Sequence, residues 1–255
     1  MNKHNIIVLP QLATFTDRAL AAIRNGQAVT ICGEEGCGAT TACLLICSRW
    51  AAEESGKFVQ IRTFRETDHL KLTQHLALQV LGDEMPVDLR VHCASTLWHL
   101  VSKKLQKGGS GLIFLDRTDL APEGFVDSLL SMAADCALAG AKVGVLMGMR
   151  HGGRQLPLFE DESASCISYT ARIVPLSGPN ILAVMQQLGA AVSDLCDGVS
   201  RNDAAPFQAM TALEKLSGGA FRRVVQFATF LVTEGKKAPT SASAMESVWK
   251  TAFYG

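Results

Sequence analysis

The sequence predicts an α/β fold, a mainly parallel sheet covered by helices, followed by a smaller helical domain. The first observation is that short apolar runs alternate with helical patterns over most of the chain. Such alternation is typical of βαβ units, which build parallel sheets. The second is that only helical patterns follow the segment around residue 176. We therefore divide the chain into an α/β domain, residues 1–176, and a helical lid domain, residues 177–255.

The strands are predicted where apolar runs are bounded by glycine, asparagine or charged residues, and the helices where apolar residues recur every three or four positions. The predicted strands are residues 27–32, 57–62, 111–116 and 142–147. The predicted helices of the first domain are residues 40–55, 68–81, 94–107 and 124–139. Those of the second are residues 180–192, 204–217, 219–234 and 242–253. Parallel strands meet at their carboxyl ends, so we expect the functional loops at residues 33–41, 116–120 and 148–150.

The composition fits a globular protein. Of the 255 residues, 48% are hydrophobic and 19% are charged, which is enough to bury a substantial core. Lys plus Arg and Asp plus Glu both number 24, so a general electrostatic attraction to nucleic acid is not indicated. No apolar stretch is long enough for a membrane span. The eight cysteines include no C-x-x-C pair, so we expect reduced thiols and a cytoplasmic protein.

A glycine-rich segment, Gly33-Glu-Glu-Gly36-Cys-Gly38-Ala39-Thr40-Thr41, lies between a predicted strand and a predicted helix. Its spacing is similar to the phosphate-binding Walker A loop, G-x-x-x-x-G-K-[ST]. Glycines let backbone N–H groups surround an anion, and the helix N-terminus favours negative charge. The lysine of the motif is Ala39 here. The other interpretation is a tight glycine turn without a ligand.

A second motif, Leu112-Ile-Phe-Leu-Asp116-Arg117, is similar to a Walker B strand, whose terminal acid helps to hold Mg²⁺. A nucleotide hydrolase normally has a water-activating glutamate at the next position, where this chain has Arg117. Arginine stays protonated and cannot act as a base. Asp119 is an alternative acid, but its position two residues further on directs it elsewhere. The other interpretation of Asp116 is a strand-end carboxylate that caps a turn.

In order and spacing, these motifs and the helical C-terminal part resemble the AAA+ ATPases over most of the chain. The segment Leu216-Ser-Gly-Gly-Ala-Phe-Arg222-Arg223 resembles the sensor 2 region of one branch, which contains transposition helpers of the Mu B and IstB type and secretion-linked ATPases of the ExeA type. The segment from Tyr169 through Arg172 to Leu176 resembles the approach to their lid.

The resemblance implies a nucleotide site and an inter-subunit residue, Arg172, which would act as an arginine finger. The implied nucleotide-binding residues are Gly33, Gly36, Gly38, Thr40, Thr41, Asp116, Arg222 and Arg223. Thr40 and Asp116 would hold Mg²⁺ when nucleotide binds. Because the lysine and the glutamate are both absent, hydrolysis should be lost or very slow. Two cofactor states stay open: ATP or ADP with Mg²⁺, or no nucleotide.

Three functions are consistent with the sequence. The first is a catalytically impaired assembly or regulatory subunit, which pairs with itself, an AAA+ paralogue or another protein, for example in DNA transposition or target selection. The second is a slow ATP-dependent switch that assembles on DNA, with Arg62, Arg65 and Lys71 as candidate phosphate contacts. The third is a nucleotide-free adaptor, for example in secretion. Its contact surface would be the lysines at 103, 104 and 107 or the aromatic tail from Trp249 to Tyr254, for which the other interpretation is packing on the lid. If the tail is the contact surface, removal of residues 246–255 should spare folding but abolish partner binding.

Overall fold

The structure, a computed structural model, describes residues 10–64, 67–85, 93–150 and 167–254. The strands are β1 (Ala28–Gly33), β2 (Lys57–Arg62), β3 (Ser110–Asp116), β4 (Lys142–Arg150) and β5 (Ile167–Ile173). The helices of the first part are α1 (Pro10–Arg24), α2 (Ala39–Glu53), α3 (His69–Leu81), α4 (Ala94–Gly108) and α5 (Phe125–Leu138). Those that follow are α6 (Gly178–Gln187), α7 (Ser193–Ser200), α8 (Ala204–Ser217), α9 (Phe221–Thr233) and α10 (Ala242–Tyr254).

The five strands form one sheet in the order β2-β3-β4-β1-β5, and the pairs β2–β3, β3–β4 and β1–β4 are parallel. The register aligns the carboxyl ends. Arg62 is opposite Asp116, Asp116 is opposite Gly148, and Gly33 is opposite Arg150. The predicted α/β fold with its parallel sheet is confirmed, and the carboxyl ends of β1, β2, β3 and β4 lie at one edge.

Strand side chains alternate in direction, so both faces of this sheet carry apolar side chains. Helices cover both faces. Residues such as Ile113, Leu115 and Val145 belong to one buried cluster with apolar residues of α3, α4 and α5. On the opposite face, a Cβ added at Gly148 would lie within 4 Å of Phe114 and of Cys43 in α2. This layering is the physical reason that β3 is apolar at nearly every position.

Contacts between Cα atoms divide the chain into two units. One comprises Thr14–Gly33 and Ala39–Arg172 and therefore holds the sheet. The other comprises Ile173–Gly255, the described residues before Thr14, and the short segment Glu34–Gly38. The glycine-rich segment thus makes its contacts with the C-terminal helices, which the sequence pattern did not indicate.

The C-terminal helices have their own apolar core, to which α10 contributes two buried residues, Met245 and Trp249. The Trp249 ring is 4% exposed and lies 5.0 Å from the ring of Phe227 and 4.3 Å from that of Phe253. The tail is therefore part of the core. The structure favours the interpretation that the tail packs on the lid, and we expect removal of residues 246–255 to destabilise these helices rather than spare folding, because it would delete the Trp249 side chain from this cluster.

Three elements were not predicted: α1, β5 and α7. The β4 strand also continues to Arg150, three residues beyond its predicted end. Within the described ranges, no helix has both the length and the apolar character needed to cross a membrane.

Candidate functional site

The centre of the candidate site is a hydrogen bond between α2 and β3. Thr40, in the first turn of α2, donates its hydroxyl to Asp116 Oδ1 at 3.1 Å. Asp116 is the last residue of β3 and only 4% exposed. Opposite it in β4 is Gly148, where a Cβ would lie 3.6 Å from Asp116 Oδ1. The start of α2 and the end of β3 thus bring the Thr40 hydroxyl and the Asp116 carboxylate together, in the limited space beside Gly148.

The turn after β3 is closed without the Asp116 carboxylate. Thr118 donates its hydroxyl to Leu115 O at 3.1 Å, and the amide of Leu120 donates to Arg117 O at 2.9 Å. Thr63 binds the Asp116 backbone oxygen through its amide at 3.0 Å and its hydroxyl at 3.1 Å. In the described part of the chain, the polar contacts of the carboxylate are with Thr40 and Arg62. The turn-capping interpretation therefore lacks the hydrogen bonds it requires.

Arg117 occupies the position after the strand in a left-handed conformation, with φ 63° and ψ 47°. Such a conformation is uncommon outside glycine, asparagine and aspartate. The guanidinium forms an ion pair with Asp119, Nη2 to Oδ2 at 3.2 Å. Asp119 Oδ1 also accepts the backbone amide of Arg150 at 3.2 Å. Both oxygens of Asp119 are thus engaged by Arg117 and by the backbone of Arg150, and within the described ranges Asp119 does not stand in for the missing glutamate.

Arg62 ends β2 directly beside Asp116. Its Nε lies 3.7 Å from Asp116 Oδ2, although 64% of the Arg62 side chain is exposed. Its guanidinium carbon lies 5.8 Å from the centre of the Phe64 ring. Lys71 is at the start of α3, where it pairs with Asp68 at 3.2 Å. Arg65 lies outside the described residues. Their assignment as DNA contacts stays a prediction.

The glycine-rich loop bends at two residues that need positive φ angles, 82° at Gly36 and 102° at Gly38. Only glycine adopts such angles without strain. The start of α9 packs against this bend. The amide of Arg222 donates to Gly36 O at 3.0 Å, and Phe221 ring atoms lie 3.5 Å from where a Cβ of Gly38 would be. The first turn of α9 is therefore a defined partner of the loop.

The glycine-rich loop leads into a helix of 15 residues. Its first amides have no partner within the helix and therefore attract an anion. Gly33 is buried at the end of β1, whereas Glu34 and Glu35 on the loop are exposed. Ala39 begins the helix, and Thr41 follows Thr40 in its first turn. The amides and the helix dipole are thus present, whereas the full positive charge of a lysine is missing.

The remaining predicted residues are arginines. Arg222 and Arg223 are exposed in the first turn of α9, and neither guanidinium forms an ion pair within the described ranges. Arg172 lies in β5, which neighbours β1 in the sheet. Burial raises the pKa of the Cys32 thiol, and the positive charge of Arg172 partly opposes this. Arg172 therefore lies near β1 of its own chain, and its action in a neighbouring subunit stays a prediction.

The cysteines near the site are core residues. Burial raises the pKa of Cys43 well above its ordinary value, and the neighbouring Cys47 and Asp116 raise it further. Burial also raises the pKa of Cys47 to about 12. Both thiols stay neutral and are poor metal ligands. In the ranges that the structure describes, no group of three His, Cys, Asp or Glu side chains could hold a metal ion.

The side chains present suit a magnesium ion, but they do not supply every group of the nucleotide-binding motif. A threonine hydroxyl and an aspartate carboxylate are oxygen ligands of the kind that Mg²⁺ prefers, and they lie in hydrogen-bond contact. Mg²⁺ usually takes its other ligands from water and from substrate phosphates. The loop amides fit phosphate oxygens, but Ala39 provides no charge for them.

Two features of the site were missed from the sequence. Thr63 binds the backbone of the turn after β3, and Arg62 pairs with Asp116. The register of β2 on β3 contains the signal for both, because residue 62 is opposite residue 116. That register can be predicted only once β2 and β3 are known to be neighbours in the sheet.

No protein-family model matches this chain, and no curated protein does. Solved structures do resemble it. The Aeropyrum pernix ORC2 protein in ADPNP–ADP complexes is 13% identical with a TM-score of 0.66, over 98% of this chain and 70% of that one. The Aeropyrum pernix ORC1 protein in complex with DNA is 14% identical with a TM-score of 0.63, over 97% and 67%. Domain III of the Thermotoga maritima replication initiation protein DnaA is 16% identical with a TM-score of 0.54, over 98% and 96%.

The fold is therefore that of the AAA+ P-loop ATPases, with a parallel sheet and C-terminal helices. The chain spans 67–70% of the ORC1 and ORC2 chains and 96% of the DnaA domain. At such low identity the similarity defines the fold and leaves the function to be argued from the site.

Proposed function

We propose that this chain is a catalytically impaired AAA+-like protein that binds Mg²⁺ and nucleotide and acts as an assembly or regulatory subunit. The observation that carries the proposal is the hydrogen bond from Thr40 to Asp116 at 3.1 Å. Thr40 and Asp116, whose oxygens suit Mg²⁺, are in hydrogen-bond contact, whereas Ala39 and Arg117 stand where the motifs have a lysine and a glutamate. We divide the protein into a P-loop domain, residues 1–176, and a lid, residues 177–255.

In this proposal, the chain's own groups bind nucleotide without activating water. Thr40 and Asp116 would hold Mg²⁺, which supplies charge neutralisation to the phosphates when bound. The amides of the glycine-rich loop, from Gly33 through Gly38 to Thr41, would hold phosphate oxygens. Arg222 or Arg223 would contact a phosphate as sensor 2 does in the family that the sequence resembles. ATP and ADP are both expected ligands.

Hydrolysis fails for two reasons in this account. Ala39 carries no charge, so the electrostatic stabilisation that the motif's lysine gives to the transferred phosphate is absent. Arg117 cannot accept a proton, and its ion pair with Asp119 engages the nearest carboxylate that follows. Both groups would have to be restored for efficient turnover.

The subunit role follows from a retained fold with a weakened site. AAA+ nucleotide sites form between subunits, so a chain that hydrolyses poorly still completes a neighbour's site through Arg172. The expected partner is a second copy, an AAA+ paralogue or another protein. A DNA-related role is supported by the similar proteins, one of which is a complex with DNA and another a replication initiation protein. DNA transposition is the finer form of this proposal, from the sequence resemblance alone.

A second candidate is the ATP-dependent DNA-binding switch, in which Arg62, Arg65 and Lys71 contact phosphates. The exposed Arg62 beside the exposed ring of Phe64 favours it, since this combination suits a nucleic acid strand. The adaptor without nucleotide has less support, because most of the aromatic tail is packed into the core of the C-terminal helices.

The experiment is a titration of a fluorescent ATP analogue with Mg²⁺ into the purified protein and its Asp116→Ala variant. Micromolar binding that the variant loses supports the proposal. No binding at millimolar nucleotide refutes it in favour of the adaptor. A matched control is Asp127→Ala, which removes an exposed carboxylate from the first turn of α5.

A further inference from the structure

We propose that Arg62 is an internal counter-ion of Asp116, which must move aside before Mg²⁺ is held there. The inference rests on the proposed function and adds a regulatory element to the same site: Arg62 sets the Mg²⁺ concentration at which nucleotide binds. It comes from a contact that the motifs do not contain, the approach of Arg62 Nε to Asp116 Oδ2 at 3.7 Å.

The two oxygens of the Asp116 carboxylate have different partners. Oδ1 accepts the hydroxyl of Thr40 at 3.1 Å, and Oδ2 faces Arg62. The side chain of Asp116 is only 6% exposed, so its charge needs compensation from nearby groups. In the described ranges, Arg62 is the cationic side chain in an ion pair with it. In the metal-free protein, the Arg62 guanidinium therefore compensates the charge of Asp116, as a bound cation would in the protein loaded with Mg²⁺.

Arg62 and a divalent cation compete for the same carboxylate because like charges at close range repel. Arg62 is well placed to yield. The ion pair is long, and 64% of the side chain is exposed, so its release requires no change in the core. Its guanidinium carbon already lies 5.8 Å from the centre of the Phe64 ring, which is itself 58% exposed. That ring gives the displaced guanidinium a cation–π contact that does not depend on Asp116.

The alternative role for Arg62 is a direct ligand of the nucleotide phosphates. The two roles predict opposite effects of an Arg62 substitution on nucleotide binding. Removal of a phosphate ligand weakens nucleotide binding, whereas removal of a counter-ion that competes with Mg²⁺ lowers the Mg²⁺ concentration needed for it.

The experiment measures binding of the fluorescent ATP analogue at a series of Mg²⁺ concentrations for the wild type, Arg62→Gln and Arg62→Lys. We expect Arg62→Gln to lower the Mg²⁺ midpoint about two- to fivefold, the range of a partly exposed ion pair. Arg62→Lys keeps the charge and should stay near the wild type. The matched control is Lys57→Gln, which removes an exposed positive charge from the opposite end of β2.

A second readout needs no nucleotide. A double-mutant cycle of Arg62→Gln and Asp116→Asn, followed by urea unfolding without metal, should give a favourable coupling between the two residues. An unchanged or raised Mg²⁺ midpoint in Arg62→Gln, or zero coupling, overturns the inference while the proposed function stands. If the wild type binds no nucleotide at any Mg²⁺ concentration, the proposed function fails together with the magnesium competition, and the cycle alone decides the ion pair.

Discussion

The substitution Asp116→Asn tests whether the carboxylate of Asp116 serves to bind a ligand or to stabilise the fold. Asparagine has the same shape and can still accept the Thr40 hydroxyl, but it carries no charge. The charge-assisted form of that bond contributes about 1.5–3 kcal/mol and the neutral form about 1 kcal/mol. The Arg62 pair adds about 0.2–1 kcal/mol. Against these losses, a carboxylate removed from water costs several kcal/mol, which asparagine avoids.

We therefore expect Asp116→Asn to leave the free energy of unfolding within about 1 kcal/mol of the wild type, or to raise it. We expect the same change to weaken Mg²⁺-dependent nucleotide binding at least about tenfold, because the metal loses its charged ligand. Urea unfolding followed by circular dichroism measures the first quantity, and titration of the fluorescent ATP analogue measures the second.

The opposite pattern would refute this reasoning. If Asp116→Asn lowers the free energy of unfolding by more than about 2 kcal/mol and the folded variant binds nucleotide as tightly as the wild type, the carboxylate is structural. Thr118→Val is a useful comparison, because the Thr118 hydroxyl closes the turn after β3. It should cost stability without a change in magnesium dependence.

The remaining predictions concern the core of the C-terminal helices, the glycine-rich loop and one thiol. Trp249→Ala should lower the free energy of unfolding by about 3–5 kcal/mol in thermal or urea denaturation, whereas Tyr254→Ala, at an 84% exposed position, should change it by less than about 0.5 kcal/mol. Gly38→Ala should weaken nucleotide binding, because φ is 102° there and a residue with a Cβ is strained at that angle; equal affinity in the variant would contradict the loop's assigned role. Hydrogen bonds from Ser95 and Thr96 lower the pKa of Cys93 to about 7, so its alkylation by iodoacetamide should rise with a midpoint near that pH, and a midpoint above 8.5 would exclude the thiolate stabilisation.

Much of the fold could be predicted because its elements carry strong patterns. The apolar run of β2 and the period of α8 gave their observed bounds, residues 57–62 and 204–217. Two of the elements that were missed have weaker signals. The α7 helix has only eight residues, and β5 has a polar centre, Tyr169 to Arg172. Their formation depends on packing against neighbours that a local pattern does not contain.

The candidate site was predictable where the motif lies within one segment of the chain. The spacing of Gly33, Gly38 and Thr40 placed the glycine-rich loop before a helix, which the structure bears out. Contacts between residues of different strands were harder to predict from the sequence. The pair of Arg62 and Asp116 depends on strand order, and the contact of α9 with Gly36 depends on tertiary packing.

The central claim is that this chain holds nucleotide without turning it over. The most direct measurement is to incubate the purified protein with Mg²⁺ and ATP, separate it from free nucleotide by gel filtration, and identify the bound nucleotide by ion-exchange chromatography. We expect intact ATP bound to the protein after prolonged incubation, with no accumulation of ADP and phosphate. Protein that elutes without nucleotide, or that converts ATP to ADP over many turnovers, would contradict it.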